Sequence, residues 1–248
     1  MTFHSSLDTE EIVRFSERPQ NWWDPDGAWS PLHKLNPVRV AYIRRTLLKH
    51  FGRSDGGKAP LKGLSVLDLG CGGGLLCEPL ARWGARVIGL DASEQTLEAA
   101  RTHALREGLS INYRNMTIEA FSQEKRKPSV DAVLALEVLE HAGNVDSLLH
   151  HAASVLKPGG VIILSTVNRT QKSFLLGIVA AEYLLGWVPP GMHDWDKFIK
   201  PSELAAHLHQ AGLVLSDLAG MVYNPFKDGF SLHPHKLDVN YLATAVKE

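Results

Sequence analysis

The sequence predicts an α/β fold on a mostly parallel sheet with helices on both faces. Three observations predict it: short β-favouring runs recur with helical-length segments between them, a glycine-packed turn follows the first run, and 248 residues that are 44% hydrophobic and 21% charged can bury a substantial core. Ser65 to Leu69, Arg86 to Leu90, Ile111 to Arg114, Val130 to Leu136 and Val161 to Thr166 are the first five runs, and Leu213 to Leu218 and Val239 to Val246 complete seven. Strands that alternate with helices need crossover connections, which produce parallel pairing and cover both faces of the sheet.

Before the first strand the composition changes. Trp22, Trp23 and Trp29 stand among turn formers and read either as a lid fixed to the core or as a substrate-facing lining, since clefts are lined by aromatic and apolar groups. A helix is expected from Pro37 to about Phe51, and Arg53 to Lys62, rich in Gly, Ser, Asp and Lys, reads as a flexible connection. The expected organisation is therefore a lid and helices over residues 1–60 packed on a domain over 61–248. An apolar insertion occupies about 169–200 of that domain. Within the insertion, Ser173 to Val188 carries Glu182 as its only charge and is apolar nearly all the way round at helical spacing. Spanning a bilayer takes about 20 apolar residues, so this stretch is too short and belongs in the core or at an interface.

A net charge of −1 disfavours extended binding to nucleic acid, which needs a lysine and arginine excess. Two cysteines, Cys71 and Cys77, exclude a disulfide framework and fit a reducing compartment. Met1 to Trp23 holds Asp8, Glu10 and Glu11 and no apolar run, so neither a secretory signal nor a transit peptide is expected and the reading is bacterial and cytoplasmic.

Val66 to Gly74 (VLDLGCGGG) is a buried strand entering a glycine turn, where the backbone can approach a ligand at the carboxyl edge of the sheet. Asp68 precedes Gly70 by two residues, and Asp91 ends the second strand, where a carboxylate can accept from both hydroxyls of a ribose. A dinucleotide would bring a pyrophosphate beside Asp68, repelled by about 4 kcal/mol per charge pair at 4 Å and an effective dielectric near 20. S-adenosylmethionine brings a sulfonium and an ammonium instead. The dinucleotide fingerprint also wants glycine three positions after Gly72, where Leu75 stands. These features favour S-adenosylmethionine over NAD. An NAD-dependent oxidoreductase on the same kind of sheet remains one rival, and a non-catalytic cofactor- or lipid-binding component of a biosynthetic complex is another.

Residues 65 to 166 resemble a class I S-adenosylmethionine-dependent methyltransferase. Trp22 to Ile43 (WWDPDGAWSPLHKLNPVRVAYI), Leu67 to Gly74 (LDLGCGGG), Leu136 to His141 (LEVLEH) and Gly191 to Leu204 (GMHDWDKFIKPSEL) together resemble the ubiquinone-biosynthesis O-methyltransferases over nearly the whole chain. The resemblance implies a Rossmann-like domain with a seven-stranded sheet. It also implies cofactor contacts at Arg39, Gly70, Asp91 and Leu136, beside Asp68 and Gly72 from the turn itself. The implied reaction is methylation of a ring hydroxyl on polyprenylated phenols or catechols.

Such a hydroxyl has a pKa near 10, so ionising it at pH 7 costs about 4 kcal/mol. A positioned base is worth typically 10²- to 10⁴-fold, and a bound cation would lower the hydroxyl pKa directly. Glu137, Glu140 and His141 are the candidates for either role: on one helical turn, spacings of i, i+3 and i+4 would bring them to one side. The resemblance implies a divalent-cation requirement in some relatives, Mg²⁺ before Zn²⁺ or Mn²⁺, although as ligands these residues suit Mg²⁺ only passably and the imidazole suits Zn²⁺ or Mn²⁺ better. Related words occur in methyltransferases that use no metal, where they shape the pocket. His33, His193, Asp194 and Asp196 are secondary candidates, with capping inside a lid as the alternative, and the other histidines read as solvated surface. No Asn/Asp-Pro-Pro-aromatic word of nucleic-acid methyltransferases follows Leu136.

A prenyl tail holds its carrier in the bilayer, since each buried CH₂ is worth about 0.8 kcal/mol. Ser173 to Val188, flanked by Arg169, Lys172, Lys197 and Lys200, is therefore expected to attach reversibly to the inner membrane, with packing inside a lid as the alternative.

Overall fold

A computed structural model describes residues 21–124, 129–175 and 194–248. Its element order is α1 (Ser30–His50), β1 (Ser65–Leu69), α2 (Cys77–Arg82), β2 (Arg86–Asp91), α3 (Glu94–Arg106), β3 (Asn112–Asn115), α4 (Ile118–Glu124), β4 (Val130–Leu136), α5 (Val145–Val155), β5 (Leu156–Val167), α6 (Pro201–Gln210), β6 (Leu213–Asn224), β7 (Gly229–His233) and β8 (Asn240–Lys247).

One sheet runs β3-β2-β1-β4-β5-β8-β6-β7. The first five strands pair in parallel, and β8, β6 and β7 join antiparallel. The expected seven strands are present, and β7 is an eighth. Its run, Gly229 to His233, is half-exposed and contains no sustained apolar alternation, but Asp228 at φ +44° followed by Gly229 closes a hairpin onto β6.

Alternation along the central strands sorts the core into two layers. Val66, Ala132, Leu134, Val161 and Ile163 pack under α1, α2 and α3, whereas Leu67, Leu69, Val133, Ala135, Ile162 and Leu164 pack under α4, α5 and α6. Asp68, in phase with Val66, therefore points to the α1–α3 side. Ser93 and Asn144 start α3 and α5 by accepting the backbone N–H of Thr96 and Ser147.

The first helix begins earlier than expected. Pro31 takes the position near its start that the sequence suggested for Pro37, and Pro37 lies inside the helix. The extra turns carry Asn36 and lead to Arg39, both of which reach the site. Tyr42, fully buried on α1, fixes the helix to the sheet by donating to Asp217 and sharing a hydrogen bond with Thr244, each at 2.8 Å.

Candidate active site

The carboxyl ends of β1, β2 and β4 form one edge, and the sequence-predicted residues Asp68, Asp91 and Leu136 gather along it. Between β1 and α2 the chain turns through Gly70 at φ +62° and Gly72 at φ +53°, a region that L side chains rarely adopt. Asp91 fastens this turn to β2: Oδ2 accepts from the Gly72 N–H and Oδ1 from the Ser93 N–H, each at 2.9 Å. Burial raises the Asp91 pKa, and those N–H groups pull it back. Asp68 lies beneath the turn, 2% exposed, with the Cys77 thiol donating to Oδ2 at 3.2 Å. Burial pushes its carboxyl up to about 7, against the thiol bond and the charge of Arg39, while Asp91 adds to the rise.

Arg39 is the buried cation of this edge, 5% exposed. Its Nη2 pairs with Glu137 Oε1 at 3.0 Å, while its buried Nε finds no acceptor among the described residues. A buried guanidinium donor left open in this way favours an anionic partner at the crevice. Asn36, one turn earlier, holds α1 to the end of the glycine turn through the Leu75 carbonyl at 3.1 Å. Leu136 is buried and contributes packing at the end of β4.

The Glu137, Glu140 and His141 expectation needs correction. They do not share an α-helical turn: Glu137 is left-handed at φ +55°, and a 3-10 turn spans Leu139–His141. Ser165 holds the strained residue, since its Oγ donates to Glu137 Oε1 at 2.7 Å and its carbonyl accepts the Glu137 N–H at 3.1 Å. Thr166 donates to Glu140 Oε2 at 2.8 Å. Burial acts to raise the Glu137 pKa, but Arg39 and bonds from Ser165 and Glu140 hold it below the usual range, whereas burial and the charge of Glu137 push Glu140 up to about 8. The two carboxyls are thus driven apart, Glu137 toward its ionised form and Glu140 toward its protonated form. Among the described residues no group of three or more His, Cys, Asp or Glu is arranged to hold a metal ion. A divalent cation at Glu137, Glu140 and His141 does not fit this arrangement, because Glu137 Oε1 is taken by Ser165 and Arg39 and Glu140 Oε2 by Thr166.

The tryptophans form a cover. Trp22 and Trp29 stack at 3.6 Å and pack with Leu75, and the Trp22 carbonyl bonds to His33 Nε2 at 2.7 Å. A methyl group on Gly73 would lie 2.4 Å from Trp22 Cβ, so this glycine admits the cover. Trp23 Nε1 donates to the Gly73 carbonyl at 3.0 Å, and its ring stacks on His103 at 3.6 Å and 4°. These contacts favour a fixed cover over a substrate-facing lining and place His33 within it.

Sequence reasoning missed His103, expected among the solvated histidines. Its Nδ1 bonds to Glu78 at 2.6 Å, and no local pattern links it to Trp23. His151 is likewise bonded, to Ser122 at 2.8 Å. Asp194 accepts the Asp196 N–H at 3.0 Å and so caps the turn at Trp195–Lys197, the capping alternative. His193 and nearly all of the expected membrane segment lie outside the described residues. Phe174 and Leu175, which open that segment, are exposed, while Arg169 and Lys172 pair with Glu203 and Asp238. Among the described residues no helix is long and apolar enough to cross a membrane.

A family model described as a methyltransferase domain matches residues 36–218. The ubiquinone biosynthesis O-methyltransferase of Chelativorans sp. (strain BNC1) is 47% identical over 243 residues, 98% of this chain and 95% of that protein. The protein of the same name from Paramagnetospirillum magneticum is also 47% identical, over 96% of this chain and 94% of its own. Among solved structures, magnesium protoporphyrin IX methyltransferase from Synechocystis PCC 6803 with bound SAH superposes with a TM-score of 0.61 at 21% identity, covering 96% of this chain and 93% of that one, a likeness of fold.

Proposed function

Because the chain belongs to the ubiquinone biosynthesis O-methyltransferases, a family within the methyltransferase domain, we propose a division of labour in its crevice. The enzyme is an S-adenosylmethionine-dependent O-methyltransferase of ubiquinone biosynthesis. The observation that carries the assignment of residues is Arg39: a buried arginine with an open Nε, whose charge acts on Asp68 at a glycine turn that Asp91 fastens.

The cofactor, S-adenosylmethionine, supplies an activated methyl group when bound. Arg39 is assigned to its carboxylate, Asp91 to its ribose hydroxyls, Gly70 and Gly72 to close backbone approach, and Leu136 to packing. Asp68, in its ionised form, supplies negative potential where the ligand is cationic. Residues 21–60, on this reading, supply the tryptophan cover and a helix, α1, packed on the core of the domain that follows.

The substrate is assigned as a polyprenylated phenol or catechol. His141 accepts the ring-hydroxyl proton. A base of this kind is worth about 10²- to 10⁴-fold in rate. No step is assigned to a metal ion. Exposed Phe174 and Leu175 support reversible attachment of the following apolar segment to the membrane that holds the substrate. Phe174→Glu/Leu175→Glu should reduce flotation with anionic liposomes, and equal flotation would remove that part of the proposal.

Calorimetry with S-adenosylhomocysteine tests the cofactor assignment. Each hydrogen bond to a charged group is worth about 1.5–3 kcal/mol, so Asp91→Ala should weaken binding by at least about tenfold. Tight uptake of NADH with no heat from S-adenosylhomocysteine would overturn the reading in favour of the oxidoreductase.

A further inference from the structure

We propose that His103 is a positioning residue that latches the tryptophan cover shut over the cofactor crevice and so slows cofactor exchange. The inference deepens the cofactor reading above and rests on it. Glu78, in the first turn of α2 and fully buried, accepts from His103 Nδ1 at 2.6 Å through Oε1 and from Arg82 at 3.1 Å through Oε2. The first of these bonds fixes the rotation of the imidazole on α3. The fixed ring offers Trp23 a platform at 3.6 Å and 4°, close to parallel. Trp23 is also held by its N–H on the Gly73 carbonyl at 3.0 Å. Glycine turn, α2, α3 and cover are therefore joined in one loop of contacts, Gly73 to Trp23 to His103 to Glu78, and Glu78 returns along α2 to the turn. Opening the crevice at Gly72 and Gly73 requires moving Trp22, which touches both, and the stack on His103 resists the movement of its neighbour.

The test is the dissociation rate and affinity of S-adenosylhomocysteine, followed by tryptophan fluorescence on the full chain. Stacked aromatic pairs are worth enough to change affinity by about two- to tenfold. His103→Ala should speed dissociation by that factor and raise the cofactor KM equally, with turnover at saturation changed by less than about twofold. His103→Asn keeps a donor for Glu78 but lacks the ring, so it should match His103→Ala and decides the case if the alanine variant fails to fold. His103→Phe restores the platform and should recover part of the loss. Combined with Trp23→Leu, His103→Asn should add no further loss, because both remove the same contact. Wild-type dissociation from His103→Asn would overturn the latch and leave the cofactor reading intact. A wild-type protein that takes up no S-adenosylhomocysteine would overturn both.

Discussion

Removing Arg39 isolates the electrostatic core of the site. At 3.0 Å and an effective dielectric near 20, its attraction to Glu137 is about 5 kcal/mol before desolvation is counted. Both side chains are sheltered, and breaking a buried pair from one side costs about 3–5 kcal/mol because the remaining charge is left uncompensated. Arg39→Met should therefore lower Tm by roughly 6–20 °C, at about 2–4 °C per kcal/mol for a chain of this size. The pH dependence gives the sign. A carboxyl held below its unfolded pKa of about 4.3 contributes stability above that value and loses it as pH falls through the folded pKa. Without Arg39, burial raises the Glu137 pKa instead, and the penalty grows as pH rises. The gap between wild type and variant should be wide at pH 8 and narrow near pH 4 in urea titrations. Arg39→Met/Glu137→Gln should recover most of the stability yet not the affinity for S-adenosylhomocysteine, which separates the two roles of Arg39. A single variant as stable as wild type at pH 8, or a double variant no better than the single, would refute the account.

Three glycines give further tests. Gly73→Ala forces a methyl group against Trp22 and should displace the cover at a cost of about 1–3 kcal/mol, seen as a red-shifted tryptophan emission that Gly73→Ala/Trp22→Ala reverses. Gly220→Ala places its methyl 1.7 Å from the Lys236 carbonyl oxygen and should leave the chain poorly soluble or strongly destabilised, whereas Gly229→Ala, with nothing nearer than 3.7 Å, should leave Tm within about 2 °C.

The parallel half of the sheet was legible because its strands are buried on both faces and read as continuous apolar runs; the bounds expected for β1 and β4 match the structure. Gly70, Asp68 and Asp91 were legible because the turn and strand end fix their places. What failed were inferences that extended a local rule. Pro37 suggested a helix start, although Pro31 already supplied one. Glu-x-x-Glu-His suggested a helical face, but the left-handed Glu137 breaks that geometry, and its cause lies on β5, where Ser165 waits 28 residues later. The partnership of Trp23 with Gly73 and His103 joins positions 50 and more residues apart, and nothing in either neighbourhood announces it.

The placement of β8 between β5 and β6 has a consequence for biosynthesis. It is the last strand of the sheet to be made, yet it joins the parallel half to the β6–β7 hairpin. On the ribosome the hairpin has no edge to dock on until Asn240 to Lys247 have cleared the exit tunnel. The nascent protein must therefore wait with two open strand edges, β5 and β6, and in that interval chaperones or neighbouring copies would find it most exposed.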